Sequence, residues 1–316
     1  MKHNYIKLLP QPIFKNIFHL EWELSSKCNY HCSYCPSNLN DNKINFPEPN
    51  KFISFFQKLK NIYPEKKFHL TILGGEPTLW DKLIDVVKII HSLSDAKIHL
   101  LTNASKNIKW WEKNLELFDN IHFSYHPEKT NKDEFFEKCK LITKTKKFLA
   151  INCMMNQKYF NDSYKFAKKL RDEIPYIVVI LKPIKINDTK ELIYYTDDQK
   201  DIFLNEPVLI HKTHPPKTGI SFGSSIMNTI DKNGVIKRIN VSQLIIKKQN
   251  SWKHWECNAG VDSMFINMNG DILRCLSQPT LTLGNINNEY NLDVNPMRCP
   301  LEFCSCKSNI FISKKQ

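Results

Sequence analysis

Glycine is nearly missing from this chain. Eight occur in 316 residues, and the first 218 positions contain only two, Gly74 and Gly75, side by side. Glycine serves where the backbone takes positive φ or approaches another group closely. A chain that otherwise avoids it therefore marks 74–75 as a local backbone need. Apolar runs of about 18 residues are absent too, which sets aside a membrane-spanning helix. No basic-then-apolar leader with a small-residue cleavage site opens the sequence, so the expected location is cytoplasmic. Internal repeats and low-complexity linkers are missing as well, so the chain does not read as a repeat array.

Cysteine, by contrast, is plentiful. Ten thiols without a secretion signal argue for metal or redox chemistry over a disulfide framework. Their placement agrees: three lie at 28–35, five at 257–306, and only Cys139 and Cys153 stand apart. The formal net charge is +13. Such an excess suits a phosphorylated substrate or nucleic acid. It equally suits the Lys, Asn and Ile richness of a low-GC genome spread over solvated faces. Nucleic acid thus remains an open partner carried by charge alone.

Up to about residue 185, short β-branched or aromatic runs alternate with helical patterns. Strands are expected at 17–24, 67–73, 97–103, 120–126, 148–155 and 176–184. Helices are expected at 50–63, 82–93, 109–118, 132–142 and 163–174, the first with Phe52, Phe55, Phe56 and Leu59 on one face. This alternation reads as parallel βαβ units. Six strands are too few for a closed eight-stranded barrel, so the predicted fold is α/β, a partial (βα)6 TIM-like barrel with a small C-terminal Cys-rich α+β extension. Its chemistry belongs on the loops after the C-terminal strand ends. The expected domains are 1–185 for the barrel, 186–250 for a bridging segment and 251–316 for the cysteine-rich unit. Hairpins are predicted to turn at Asn233-Gly234 and Asn269-Gly270. The unit from 251 has little apolar sequence for a core of its own, which argues for a metal staple.

The stretch "SSKCNYHCSYCP" (25–36) follows the first barrel strand. Its C-x3-C-x2-C spacing lets Cys28, Cys32 and Cys35 take three corners of a [4Fe–4S] cube and leaves the fourth iron without a protein ligand. Structural zinc is the alternative, but it wants a fourth ligand nearby. His31, inside the loop, is a poor candidate. Gly74 and Gly75 lie in "LGGEPTLW" at the end of the second barrel strand, where Glu76 offers an acceptor for an ammonium group.

Together these motifs resemble the radical S-adenosylmethionine (SAM) superfamily, which has a C-x3-C-x2-C loop with an aromatic residue, here Tyr34, before the last cysteine. The resemblance implies that the free iron chelates the amino and carboxylate groups of SAM. It also implies that the reduced cluster cleaves SAM to methionine and a 5′-deoxyadenosyl radical, which abstracts hydrogen from substrate. Gly74, Gly75, Glu76 and Pro77 resemble the family's motif for the SAM amino group. Asn103 and Ser124, at the next two strand ends, look like the polar residues used around SAM's ribose and carboxylate. Small-molecule substrate, SAM and an electron donor such as flavodoxin or ferredoxin are the implied partners, with no membrane.

Cys257, Gly270 and Cys275 fit the C-x(9–15)-G-x4-C start of the superfamily's SPASM or twitch extensions. Cys299, Cys304 and Cys306 then follow as C-x4-C-x-C. That count suits one auxiliary [4Fe–4S] cluster held by four of the five; the spare is unnamed, and zinc is the alternative. Candidate catalytic residues are Tyr125 and His126 as proton carriers, and Cys153, which reads either as a hydrogen donor facing the barrel or as a small buried hydrophobe. Many peptide-modifying relatives carry S-(I/L)-D-G at the fourth strand, where this chain has "FSYHPE". The expected substrate is therefore small and sugar- or nucleotide-like, undergoing oxidation, epimerisation or rearrangement. Peptide maturation and tRNA-base modification are the alternatives, and a structural iron–sulfur or zinc protein is the non-enzyme reading.

Overall fold

A computed structural model describes residues 3–10, 16–145, 147–184, 192–215, 226–241, 244, 248–278, 280–304 and 307–316. The strands are β1 (Lys7–Leu9), β2 (Ile17–Glu23), β3 (Lys67–Leu73), β4 (Lys97–Thr102), β5 (Asn120–Tyr125), β6 (Phe148–Met154), β7 (Ile177–Lys182) and β8 (Val208–Ile210). They continue as β9 (Ile226–Ile230), β10 (Ile236–Asn240), β11 (Glu256–Cys257), β12 (Ser263–Ile266), β13 (Asp271–Leu273), β14 (Thr282–Asn285), β15 (Met297–Arg298) and β16 (Lys314–Lys315). Helices α1 (Pro49–Ile62), α2 (Leu83–Leu93), α3 (Ile108–Asn114), α4 (Lys132–Lys144) and α5 (Phe160–Glu173) alternate with β2–β7, and α6 (Asp197–Asn205) precedes β8.

The main sheet has ten strands in the order β14-β13-β12-β2-β3-β4-β5-β6-β7-β8. From β2 to β7 every neighbour is parallel. The sheet is an open, partial barrel, as expected for six βα units. Local sequence explains the layers. In β2, Phe18, Leu20 and Trp22 are buried on one face, and Trp22 stacks on Phe52 of α1 at 3.5 Å. Helix α1 begins with Pro49, which loses no hydrogen bond at a first-turn position. It buries Phe52, Phe55, Phe56 and Leu59 at helical spacing. Asn131 caps α4 by accepting from the Asp133 and Glu134 amides.

The opposite face of the strands carries an unexpected feature. His19, His69, His99 and His122 come from four adjacent strands, with His19 directly opposite His69. Ring centroids lie 5.4 Å apart for His19–His69 and 5.3 Å for His69–His99. Burial depresses all four: His19 to about 3, His69 and His122 to about 4, and His99 well below its ordinary value. They are neutral in the folded chain at pH 7. Because the folded values lie below the unfolded 6.5, their contribution is complete above 6.5 and is lost as pH falls toward 4. For His69 and His122 that is about 3.5 kcal/mol each at most, since one unit corresponds to about 1.4 kcal/mol. Urea unfolding of the apo chain at a series of pH values should show a steep loss between 6.5 and 4, with more than one proton taken up. A flat profile over that window would contradict it.

The second sheet has six strands, β10-β9-β1-β16-β11-β15. It places β1, from the start of the chain, between β9 and β16, from its end. At three residues and two residues, these strands are too short for a periodic signal. The β9–β10 hairpin turns at Asn233-Gly234 as predicted, with Asp231 accepting from the Asn233 and Val235 amides. The region after 251 does not keep to itself. β12 runs parallel to β2, pairing Ser263 with His19 through Ile266 with Trp22. Met264, Ile266, Ile272, Ile286 and Leu292 thereby join the main core, which removes the need for a metal staple to hold this part of the tail. No described helix is long and apolar enough to cross a membrane.

Candidate active site

The ends of β2 and β3 sit side by side, Glu23 opposite Leu73, and the two loops leaving them are locked together. Gly74 and Gly75 have φ of +91° and +50°. A Cβ on Gly74 would lie 2.5 Å from Glu23 Cγ, and one on Gly75 only 2.2 Å from the Lys27 carbonyl oxygen. The Glu76 amide donates to that same Lys27 oxygen at 2.8 Å. Both glycine requirements hold, positive φ and close approach, but the group approached is the backbone leading into the cysteine loop. From the other side, Asn42 Oδ1 accepts from the Cys28 amide at 2.9 Å, and Ser26 bonds to Asp41 at 2.6 Å.

Glu76 is fully buried. Its Oε1 accepts from the Thr78 amide (2.9 Å), Thr78 Oγ1 (2.6 Å) and Thr102 Oγ1 (2.7 Å), and Oε2 accepts from the Asn103 amide at 2.6 Å. Burial pushes its carboxyl upward while these four donors pull it back. The side chain thus ties the end of β3 to the end of β4, with capacity at Oε2 for one further donor. Pro77 follows, opening a short 3-10 turn, Pro77–Leu79. Asn103 Nδ2 donates to Asn29 Oδ1 at 2.9 Å and lies 4.0 Å from Cys28 Sγ, so it faces the cysteine loop.

Cys32 is buried, Cys28 and Cys35 are partly so, and His31 is exposed. Burial, reinforced by the neighbouring thiols, pushes Cys35 up to about 11 and Cys32 up to about 12, and burial with the Glu76 carboxylate nearby pushes Cys28 upward. Loading a metal here must expel those protons. Among the described residues, no three His, Cys, Asp or Glu side chains gather closely enough to hold a metal ion. The donor set itself is three thiols presented by one loop, which suits the more widely spaced corners of an iron–sulfur cube.

His126, just after β5, does not stand free as a proton carrier. Its Nδ1 lies 2.9 Å from the Tyr34 hydroxyl and 3.4 Å from Cys32 Sγ, and the Tyr34 hydroxyl also hydrogen-bonds Cys32. The His126 and Tyr34 rings stack at 6.0 Å, with Tyr30 edge-on. Burial lowers His126 to about 4, so the imidazole is neutral. A thiolate at Cys32 can only accept, so this pair is arranged to direct polar hydrogens at its sulfur. Glu128 secures the same contact by accepting from the Ser33 amide (2.9 Å), Ser33 Oγ (2.6 Å) and Asn156 Nδ2 (2.9 Å). Glu128 was not anticipated, although its position two residues after His126 was the available signal.

Two expected catalytic residues lie elsewhere. Tyr125 is fully buried, with its ring 5.5 Å from Phe135 of α4 and 4.8 Å from Phe166 of α5. Cys153, opposite it on β6, directs its thiol 3.7 Å from the Ser163 carbonyl of α5. Alternation puts both in the helix layer, where Cys153 packs as a small buried side chain and Tyr125 faces away from the inner face of the sheet. Ser124 falls on the opposite face, beside Asn152.

The family model of the Radical SAM superfamily matches residues 22–193. The chain belongs to the radical SAM superfamily. Membership brings S-adenosylmethionine and an iron–sulfur cluster as cofactors, and the matched span holds the three-cysteine loop and Gly74-Gly75-Glu76. An S-adenosylmethionine-dependent nucleotide dehydratase of Fibrobacter sp. (strain UWH6) is 33% identical over 91 residues, 27% of this chain and 27% of that protein. The similarity thus spans about a quarter of the relative's length. Streptococcus suis SuiB bound to S-adenosylmethionine aligns over 90% of this chain and 65% of its own, at 16% identity and a TM-score of 0.51. The AdoMet-bound protein anSMEcpe aligns over 87% of this chain and 79% of its own, at 18% identity and a TM-score of 0.51. At these identities the two structures share the radical SAM fold.

The second cysteine group of this radical SAM protein is equally ordered. Cys257, Cys275, Cys299 and Cys304 are all buried, and the first three share an apolar cluster with Ala259 and Ile312. The Cys299 amide donates to Trp255 and the Cys304 amide to Asn250, both at 2.8 Å. Burial raises Cys275 and Cys299 and pushes Cys304 up to about 12, with the other thiols adding to each. Cys306 lies outside the described residues. Beside this cluster, a cavity of about 590 Å³ separates residues 309–313 from the inner face of β2 and β12. Its polar walls include His19, Glu21, Lys66, Asp262 and Arg274, and none of the residues of the three-cysteine loop borders it.

Proposed function

We propose that this chain is a radical SAM enzyme that abstracts hydrogen from a small sugar- or nucleotide-like substrate. The observation that carries the reading is the clamp that presents Cys28, Cys32 and Cys35 through Gly74, Gly75 and Glu76 at adjacent strand ends. A [4Fe–4S] cluster on those thiols, with SAM on its open iron, would supply reductive cleavage to a 5′-deoxyadenosyl radical. In this reading Gly74 to Pro77 hold the SAM amino group, with Oε2 of Glu76 taking one donor. Ser124 and Asn152 offer polar contacts on the inner face of the sheet, and Tyr34 and His126 hydrogen-bond the Cys32 sulfur. The tail cysteines hold one auxiliary [4Fe–4S] cluster, four ligands coming from Cys257, Cys275, Cys299, Cys304 and Cys306.

The similarity to a nucleotide dehydratase supports a nucleotide within the proposed class. Peptide maturation has only shared fold behind it. A chain of charge +13 suits an acidic electron carrier such as flavodoxin or ferredoxin.

The test is anaerobic reconstitution, followed by dithionite, SAM and a panel of nucleotides and sugar phosphates. We expect 5′-deoxyadenosine from the native chain, at a rate raised by one member of the panel. The Cys32→Ala chain should produce none. A reduced, intact cluster that leaves SAM uncleaved would defeat the reading.

A further inference from the structure

We propose that Lys314 is the buried counter-cation of the second cysteine cluster, a positioning residue that makes the site electrostatically ready for an anionic metal–tetrathiolate. The proposal rests on the reading that the tail binds metal.

Lys314 is 2% exposed, although it lies in the polar stretch "ISKKQ". In β16 it stands directly opposite Cys257 of β11. Opposed residues of an antiparallel pair project from the same face, so ammonium stem and thiol are neighbours. Its Nζ donates to the carbonyl oxygens of Asn309 (2.7 Å), Ile312 (2.8 Å) and Ile310 (3.3 Å), and sits 5.0 Å from the Trp252 ring centre. The Asn309 side-chain amide in turn lies 3.1 Å from Cys275 Sγ. The adjacent Lys315 reaches Glu256 at 2.8 Å, whereas Lys314 forms no ion pair with a carboxylate among the described residues. Three carbonyls satisfy its hydrogens but bring no net charge.

A buried ammonium without a counter-charge is costly. The group placed to supply negative charge is the thiol of Cys257, directly opposite on the neighbouring strand, once a metal has displaced its proton. Four thiolates around Zn²⁺, or around a [4Fe–4S]²⁺ core, carry a net charge of −2 in either case. Four neutral thiols carry none. The same lysine therefore opposes the empty state and favours the loaded one.

The opposite signs make the test. Lys314→Met removes the charge and keeps the apolar stem; Lys314→Gln removes the charge and keeps two N–H donors for the carbonyls. Each would be compared with the native chain for iron, sulfide and zinc content, for Tm before and after stripping with a chelator, and for the auxiliary cluster's midpoint potential. We expect both variants to lower the Tm of the loaded protein while raising or sparing that of the stripped one. Metal should be lost to chelator roughly tenfold faster, the factor equivalent to about 1.4 kcal/mol, and an iron–sulfur cluster should become harder to reduce. Equal Tm changes in both states, with potential and metal loss unaltered, would reduce Lys314 to a packing role and overturn the proposal. A native chain with metal only at Cys28, Cys32 and Cys35 would overturn the tail-metal reading itself, a distinguishable result.

Discussion

Gly75→Ala is expected to abolish iron loading at Cys28, Cys32 and Cys35 while the rest of the chain folds. The new Cβ would lie 2.2 Å from the Lys27 carbonyl oxygen, 2.9 Å from its carbon and 3.0 Å from the Ser25 oxygen. Those are backbone atoms, so no side chain can swing aside. The strands behind them cannot slide either, because β2 and β3 are paired over seven residues. The left-handed φ of +50° adds roughly 1–2 kcal/mol for any residue with a Cβ. The relief available is to move 25–27 away, which breaks the Glu76-to-Lys27 hydrogen bond and displaces the loop that begins at Cys28. Iron per chain after reconstitution, with SAM cleavage and circular dichroism alongside, gives the answer. Gly234→Ala, at a hairpin tip where a Cβ meets nothing within 4 Å, is the control and should load normally. Full iron and normal cleavage in Gly75→Ala would mean that the cluster organises its own loop.

Glu76→Ala should destabilise the apo chain by several kcal/mol, since each buried donor left unsatisfied costs about 1–3 kcal/mol. Four donors, two on Thr78 and one each on Thr102 and Asn103, would be left facing a cavity in a fully buried site. Glu76→Gln should fall between, because its oxygen can replace Oε1 while its NH2 group meets the Asn103 amide donor to donor. Urea denaturation without cluster or SAM isolates this effect. A side chain whose sole task was to receive the SAM amino group would leave apo stability unchanged in both variants. Loss of stability in the expected order would establish the structural task, and SAM affinity of the folded Gln variant would then measure any second one.

The alternation of apolar strands and amphipathic helices announced the six βα units because each element is long enough to show its period. The three-cysteine loop and the lone glycine pair were legible for a different reason: both are local, and both break the chain's own composition. What lay beyond reach was orientation and partnership. Tyr125 and Cys153 sit on strands buried on both faces, where apolar character no longer says which side meets the helices. His19, His69, His99 and His122 fall on one face only because the parallel registers set them there. Strands β1, β16 and β12 are two to four residues long, too short for a period, and they pair across most of the chain. Lys314 reads as a solvated terminal charge until β16 is laid against Cys257. The sequence by itself determined the elements and the three-cysteine loop, since those depend on neighbours along the chain. Only the tertiary structure decided which faces are inward and what the second cysteine cluster meets, since burial and charge pairing depend on neighbours in space.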